Sequence, residues 1–326
     1  MKRILGIGNA LVDIMTRIDD EKILDRFSLP KGGMQLVDRE KSEALSAGTS
    51  GFTRSYTSGG SAANTMHGLG MLGLKPGYIG SVGHDETGNI FEREMQEAGV
   101  KTILLRRDDI TGTTITLVTP DSERTFATHL GAATGLTAAK IKPSFLEGFD
   151  ILFIEGYQVI NMALVDKLCR LARKRDMEIA IDLASYNVVE SNLESFRNII
   201  DNYIDIVLAN EEEARALTGL DPEDALEYLA GKCDIAIVKT GSKGSLVRKG
   251  NDIARIEAFP AKCIDTTGAG DLYASGFLYG YASGIDIGRC GHLGSLLAGA
   301  VIETTGARIA PGKWPAIKRA AGEIIS

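Results

Sequence analysis

In the stretch DTTGAGDLYASGFLYG, residues 265–280, three small residues stand between two aspartates: Gly268, Ala269 and Gly270. An apolar segment with helical spacing follows. The first turn of a helix has N–H groups without intrahelical partners and carries partial positive charge. Glycines let such N–H groups come close to a phosphate or another anion. A carboxylate at Asp271 would repel that anion unless it takes a proton from a nucleophile attacking it, as in a phosphoryl-transfer site. The plain alternative is a glycine turn in which Asp265 or Asp271 caps the helix.

Other clusters have the same two-sided character. SGGSAANTMHGLG (58–70) sets glycines and a serine ahead of a helix, with Asn64 one turn in. Either Ser61 is an N-cap and Asn64 faces outward, or a polar ligand approaches Gly59 and Gly60 while the Asn64 amide meets its hydroxyls. NEEE (210–213) reads as a capping box, Asn210 with Glu213, or as a carboxylate at a strand end holding hydrated Mg²⁺. VKTGSKGSLV (238–247) reads as strand, glycine turn and strand. On a nucleotide's side it would offer Thr240, Ser242 and the backbone N–H groups around Gly241 and Gly244. GLGMLG (68–73) matches the letters of the dinucleotide fingerprint but ends a helix where the fingerprint must open one, which disfavours a dehydrogenase. The phosphate loop G-x-x-x-x-G-K-[ST] does not occur, and the four histidines show no metal spacing.

These residues need a scaffold, and the second half of the chain supplies a regular one. FDILFIEG (149–156), MEIAIDLA (177–184), YIDIVLAN (203–210) and CDIAIVKTG (233–241) are short apolar runs separated by helical segments such as 161–175. That alternation predicts a parallel sheet covered on both faces, with ligands at the carboxyl ends of the strands. The polar residues at those ends are Glu155, Asp182, Asn210 and Thr240-Gly241. In the first half, 8–19, 33–38 and 111–128 alternate polar and apolar residues, as half-exposed antiparallel strands do. They are scattered between helices at about 61–72 and 88–98. The expectation is one domain over 1–326, with a small second sheet inserted at about 11–38, 52–58 and 111–130.

Composition narrows the partners. A net charge of −7 argues against a nucleic-acid or anionic-membrane surface but leaves room for a nucleotide held by backbone N–H groups. The four cysteines are far apart, with no metal or disulfide spacing, and fit reduced thiols in the cytoplasm. Asn9 and Asp13 interrupt the apolar N-terminal run, which therefore reads as a strand, not as a signal peptide. No run is long enough to span a membrane.

Taken in order, the pieces resemble the PfkB or ribokinase-like carbohydrate and nucleoside kinases over essentially the whole chain. GNALVDI resembles that family's opening strand, GGSAAN its first signature, and GSVGHDETG (80–88) its G-x-V-G-x-D-x-x-G. NEEE matches N-x-x-E, and DTTGAGD the second signature. The resemblance implies a three-layer α/β/α fold with a central, mostly parallel sheet and a small β-sheet lid. It implies γ-phosphate transfer from ATP to a primary hydroxyl, with Gly268, Ala269 and Gly270 as the anion hole and Asp271 as the base. Asp13 and Glu155 would lie at the acceptor, and Glu213 would act on Mg²⁺ through water. It further implies a homodimer through the lid and a monovalent cation such as K⁺ near Asp265. ERTFATHLGAA (123–133) is similar to the arginine-containing stretch of adenosine kinases, which puts Arg124 at the substrate and makes adenosine the first acceptor. Phe52, Tyr56 or Phe126 would wall its base. Ribose, fructose and a catalytically silent sugar- or nucleotide-binding regulator stay open. Two departures stand out: Ser61 replaces a lysine or threonine, and Ser295 replaces an asparagine beside the ATP base.

Overall fold

The computed structural model describes residues 1–121 and 123–326; Ser122, within the 111–128 stretch, lies outside the described residues. The first eight strands are β1 (Ile4–Ile7), β2 (Leu11–Arg17), β3 (Met34–Leu36), β4 (Arg54–Gly59), β5 (Gly77–Gly83), β6 (Lys101–Arg107), β7 (Gly112–Val118) and β8 (Arg124–His129). The rest are β9 (Ile151–Glu155), β10 (Glu178–Asp182), β11 (Ile206–Asn210), β12 (Ile235–Lys239), β13 (Ser245–Lys249) and β14 (Asp252–Ile256). Nine of them form one sheet in the order β14-β13-β12-β11-β10-β9-β1-β5-β6. Its pairs are parallel from β12 to β6 and antiparallel at β12·β13 and β13·β14.

The apolar runs become central strands because both faces are covered. Side chains alternate across the sheet, so neighbours such as Ile4 and Leu5 enter different hydrophobic clusters. One cluster includes Met66 and Phe277, from the helices Ser61–Met71 and Ala269–Ser283; the other includes Leu164 and Leu168, from the helix Met162–Arg173. This is the α/β/α arrangement expected.

The second sheet runs β3-β8-β7-β2-β4 and uses the three inserted segments. Antiparallel pairing was expected throughout, and the sheet is mixed: β2·β4 and β7·β8 are antiparallel, β2·β7 and β3·β8 parallel. The reason is topological. β2 and β7 each begin where the chain leaves the main sheet, after β1 and β6, so both run outward in the same sense.

Small residues let three helices approach closely. A side-chain carbon on Gly68 would collide with Ser275, and one on Gly276 would stand 2.5 Å from the Leu293 carbonyl carbon. The helix Ala269–Ser283 is therefore held between Ser61–Met71 and Ile287–Val301. Gly276→Ala is expected to destabilise the fold by about 1–3 kcal/mol through overpacking. Gly322→Ala, at an exposed helix position with nothing within 4 Å, should be neutral or stabilise by up to about 1 kcal/mol. Urea midpoints compare the two, and equal midpoints would contradict the close-approach account.

Candidate active site

The carboxyl ends of β9 to β12 open into a cleft of about 1380 Å³, bounded by the second sheet and by the mouth of the Ala269–Ser283 helix. Glu155, Asp182, Asn210 and Gly241 line it, as strand-end residues of a parallel sheet should. Thr240 does not; its backbone closes the turn with Lys243 and Gly244. Ser242 and Gly244 line the cleft.

The Ala269–Ser283 helix begins without a side-chain cap, so neither Asp265 nor Asp271 plays that part. Gly268 is the N-cap, with φ 77°, and a side chain there would meet the backbone of Ala307. The Ala269 N–H donates to the Thr266 carbonyl. Among the described residues the N–H groups of Gly268, Gly270 and Asp271 have no acceptor. The expected Gly268–Gly270 nest thus offers two of its three N–H groups, together with that of Asp271 itself.

Asp271 lies in the first turn, and both its carboxylate oxygens are held by the neighbouring helix. Ser61 Oγ donates to Oδ1 at 2.7 Å, and Asn64 Nδ2 to Oδ2 at 2.8 Å. Burial raises its pKa, and the Asn64 and Ser61 bonds pull it back. Ser61 is therefore no N-cap; Gly60 holds that position. The Asn64 amide meets Asp271 where acceptor hydroxyls were expected, and its Oδ1 is buried without a partner.

Asp13 projects from β2 into the cleft beside Gly59, where a side-chain carbon would sit 2.6 Å from Oδ2. Gly60, at φ 96°, packs on the Asn9 carbonyl. These glycines make room for protein groups, and of the two only Gly60 lines the cleft. Burial raises the Asp13 pKa to about 6 against the pull of Arg308. Glu155 accepts from Ala62 N at 3.0 Å and Asn9 N at 3.2 Å, yet burial lifts it to about 7.

Asn210 and Glu213 form the complete capping box of the Glu211–Thr218 helix and also line the cleft, so both readings of NEEE meet at one place. Burial raises Glu213 to about 7, with Lys239 opposing. Ser295 faces the cleft, but its hydroxyl donates to Glu257 O and accepts from Phe259 N, both at 2.8 Å. It fixes the 257–259 segment. Arg124 does not line the cleft; its guanidinium pairs with Asp265, which also accepts from Thr267 N and Gly306 N.

None of the three expected aromatics, Phe52, Tyr56 and Phe126, lines this cleft. Tyr56 pairs with Ile14, one residue from Asp13, and so lies on the other face of the sheet. Phe52 packs into the core, and Phe126 does not reach the lining. Tyr157, two residues beyond Glu155, lines the cleft together with exposed aliphatic side chains: Met34 and Leu36 on the edge strand β3, 60% and 62% exposed, and Ile160 beyond β9, 68% exposed.

Three residues were not foreseen. Lys239 Nζ contacts Asp182 Oδ2 at 2.7 Å, and a lysine ending an otherwise apolar strand was its only signal. Arg308 donates to Ser58 O at 2.6 Å and Oγ at 2.8 Å behind Asp13, with no pattern around it to draw notice. Phe259 lines the cleft from a loop.

Comparison with known proteins agrees with this fold. The pfkB family carbohydrate kinase profile matches residues 34–313. An adenosine kinase from Sinorhizobium meliloti is 35% identical, with a TM-score of 0.86 over 98% of this chain and 99% of that one. A probable sugar kinase from Rhizobium etli is 33% identical, with a TM-score of 0.87 over 98% of each chain. A 5-dehydro-2-deoxygluconokinase from Bacillus licheniformis is 28% identical over 75% of this chain and 80% of its own. No helix is long and apolar enough to cross a membrane among the described residues. The chain belongs to the pfkB family of carbohydrate kinases and is a phosphotransferase with an alcohol acceptor, which implies ATP as its donor.

Proposed function

We propose that this kinase phosphorylates the primary hydroxyl of a nucleoside, adenosine first among them, with Asp271 as the base. The transfer reading rests on one observation: a buried carboxylate, held at both oxygens, adjoins helix N–H groups that have no protein acceptor. Those groups would stabilise charge on the transferring phosphoryl, while Asp271 accepts the proton of the attacking hydroxyl. Positioning and charge stabilisation carry most of such a reaction.

Among the described residues no three acidic, cysteine or histidine side chains could hold a metal by themselves. That suits Mg²⁺, which keeps several waters and takes further ligands from substrate phosphates. Glu213 would hold it through water, and the ion would shield the phosphate charge. Asn210, Gly241, Ser242 and Gly244 would flank the nucleotide, with Phe259 and the Ser295-fixed segment beside its base. Asp265 already faces Arg124 and two backbone amides, so a monovalent cation there would have to rest on carbonyl oxygens.

The acceptor reading is supported by the apolar lining that shares the cleft with Asp13, across the second sheet from it. Carboxylates at Asp13 and Glu155 suit sugar hydroxyls, and Met34, Leu36 and Ile160 offer apolar surface to a base. A sugar acid, as in the name of the Bacillus relative, would want a cation on this side, and no arginine or histidine lines the cleft among the described residues. Neutral ribose or fructose would leave the apolar wall uncovered. A second copy pairing through β3 would cover the same side chains, and sedimentation would then report twice the chain mass.

Asp271→Asn should lower kcat by about 10²-fold or more, the scale of a lost general base. Nucleotide affinity should be retained. Near-normal turnover in that variant would remove Asp271 from the chemistry. ADP release from Mg-ATP against adenosine, other nucleosides, ribose, fructose and 5-dehydro-2-deoxygluconate tests the acceptor. Adenosine should give the highest kcat/KM, and Leu36→Asp should raise its KM severalfold. A preference for a free sugar or a sugar acid would overturn the nucleoside assignment. Silence throughout, with ATP bound, would favour the regulator.

A further inference from the structure

The cleft is acidic for a site that must take a polyphosphate. Asp13, Glu155, Asp182, Glu213 and Asp271 all line it, and Lys239 is the one lysine or arginine that does so among the described residues. Its side chain is 13% exposed, and Nζ lies 2.7 Å from Asp182 Oδ2. A side-chain carbon on Gly270 would stand 3.2 Å from Nζ, so the ammonium reaches the first turn of the Ala269–Ser283 helix and glycine leaves it room.

That is an unfavourable place for a cation. The helix start carries partial positive charge, and burial also opposes the charged form. Asp182, Glu213 and Asp271 outweigh both and keep Lys239 protonated well above the ordinary lysine range. An ammonium fixed by Asp182 therefore lies beside Gly270 at the helix start, where the N–H groups of Gly268 and Gly270 have no protein acceptor among the described residues.

We propose that Lys239 is a catalytic residue that binds the γ-phosphate, with Asp182 as the positioning residue that aims it. The inference rests on the transfer reading at Asp271 and is independent of the acceptor's identity. As the acceptor oxygen bonds to the γ-phosphorus, its proton passes to Asp271. The bond from phosphorus to the β,γ-bridging oxygen breaks, and its electron pair leaves with ADP. Negative charge grows on the leaving oxygen during this step, and a preorganised cation beside the phosphates stabilises it.

A lysine that merely neutralised Asp182 and Glu213 would affect stability without distinguishing a triphosphate from a diphosphate. The test is calorimetry with Mg²⁺ and either the β,γ-imido analogue of ATP or ADP, alongside kcat, for wild type, Lys239→Met and Lys239→Arg. The double variant Lys239→Met with Asp182→Asn removes the carboxylate that Lys239 contacts directly and guards against misfolding, which circular dichroism checks. Lys239→Met and the double variant should weaken analogue binding about tenfold, change ADP binding less than about threefold, and lower kcat about 10²-fold. Lys239→Arg should recover part of the analogue affinity. Equal losses for both nucleotides, or unchanged binding and turnover in folded variants, would overturn the role of Lys239 alone. A wild type that bound neither nucleotide and turned over no acceptor would overturn the transfer reading and the lysine's role with it.

Discussion

The site depends on how closely two helices pack. A buried carboxylate is costly unless it is hydrogen-bonded, and both donors to Asp271 come from the Ser61–Met71 helix, more than 200 residues away in sequence. The helices are also joined through their backbones: Thr65 Oγ1 donates to Asp271 O at 3.2 Å, and Ser275 Oγ to Thr65 O at 2.8 Å. Gly68 and Gly276 make that spacing attainable from opposite sides. The signature glycines at 268 and 270 would have no fixed direction without it.

Charge sets the second constraint. Burial raises Asp13 to about 6 and Glu155 and Glu213 to about 7, so the folded chain holds these protons more tightly than the unfolded chain does. Their contribution to stability is present below the ordinary carboxylate range and is lost as pH rises through 6 and 7. At neutral pH the cleft thus works against the fold. Arg308 beside Asp13, Lys239 beside Asp182 and Glu213, and the backbone N–H groups on Glu155 offset part of that effect. Binding Mg²⁺ and a polyphosphate would change this balance of charge, which links occupancy of the site to stability.

Much of this was legible because it is local. Continuous apolar runs marked β9 to β12, and their last residues marked the cleft; Asn210 and Glu213 carried a capping box in their spacing. What could not be read depends on which distant segments meet. Ser61 looked like a cap until another helix brought Asp271 to its hydroxyl. Arg124 sat in a substrate-like stretch, and its partner Asp265 comes from a segment 141 residues further along the chain. Tyr56 lay one register position from a useful one, and period-two alternation turned it to the far face. Arg308 had no local pattern at all, since its partners are a strand carbonyl and a hydroxyl some 250 residues away.

The central claim is that Asp271 is the base, with Ser61 and Asn64 drawing its burial-raised pKa back down. The direct measurement is the pH dependence of kcat/KM for wild type and Ser61→Ala with the same acceptor. Ser61 donates to the ionised form, so its loss must raise the pKa of Asp271. Activity through a base falls as pH drops through that pKa, and the acid limb of the variant should therefore lie at higher pH than that of the wild type. An acid limb that stays in place, in a folded variant that has lost the hydroxyl, would contradict the account.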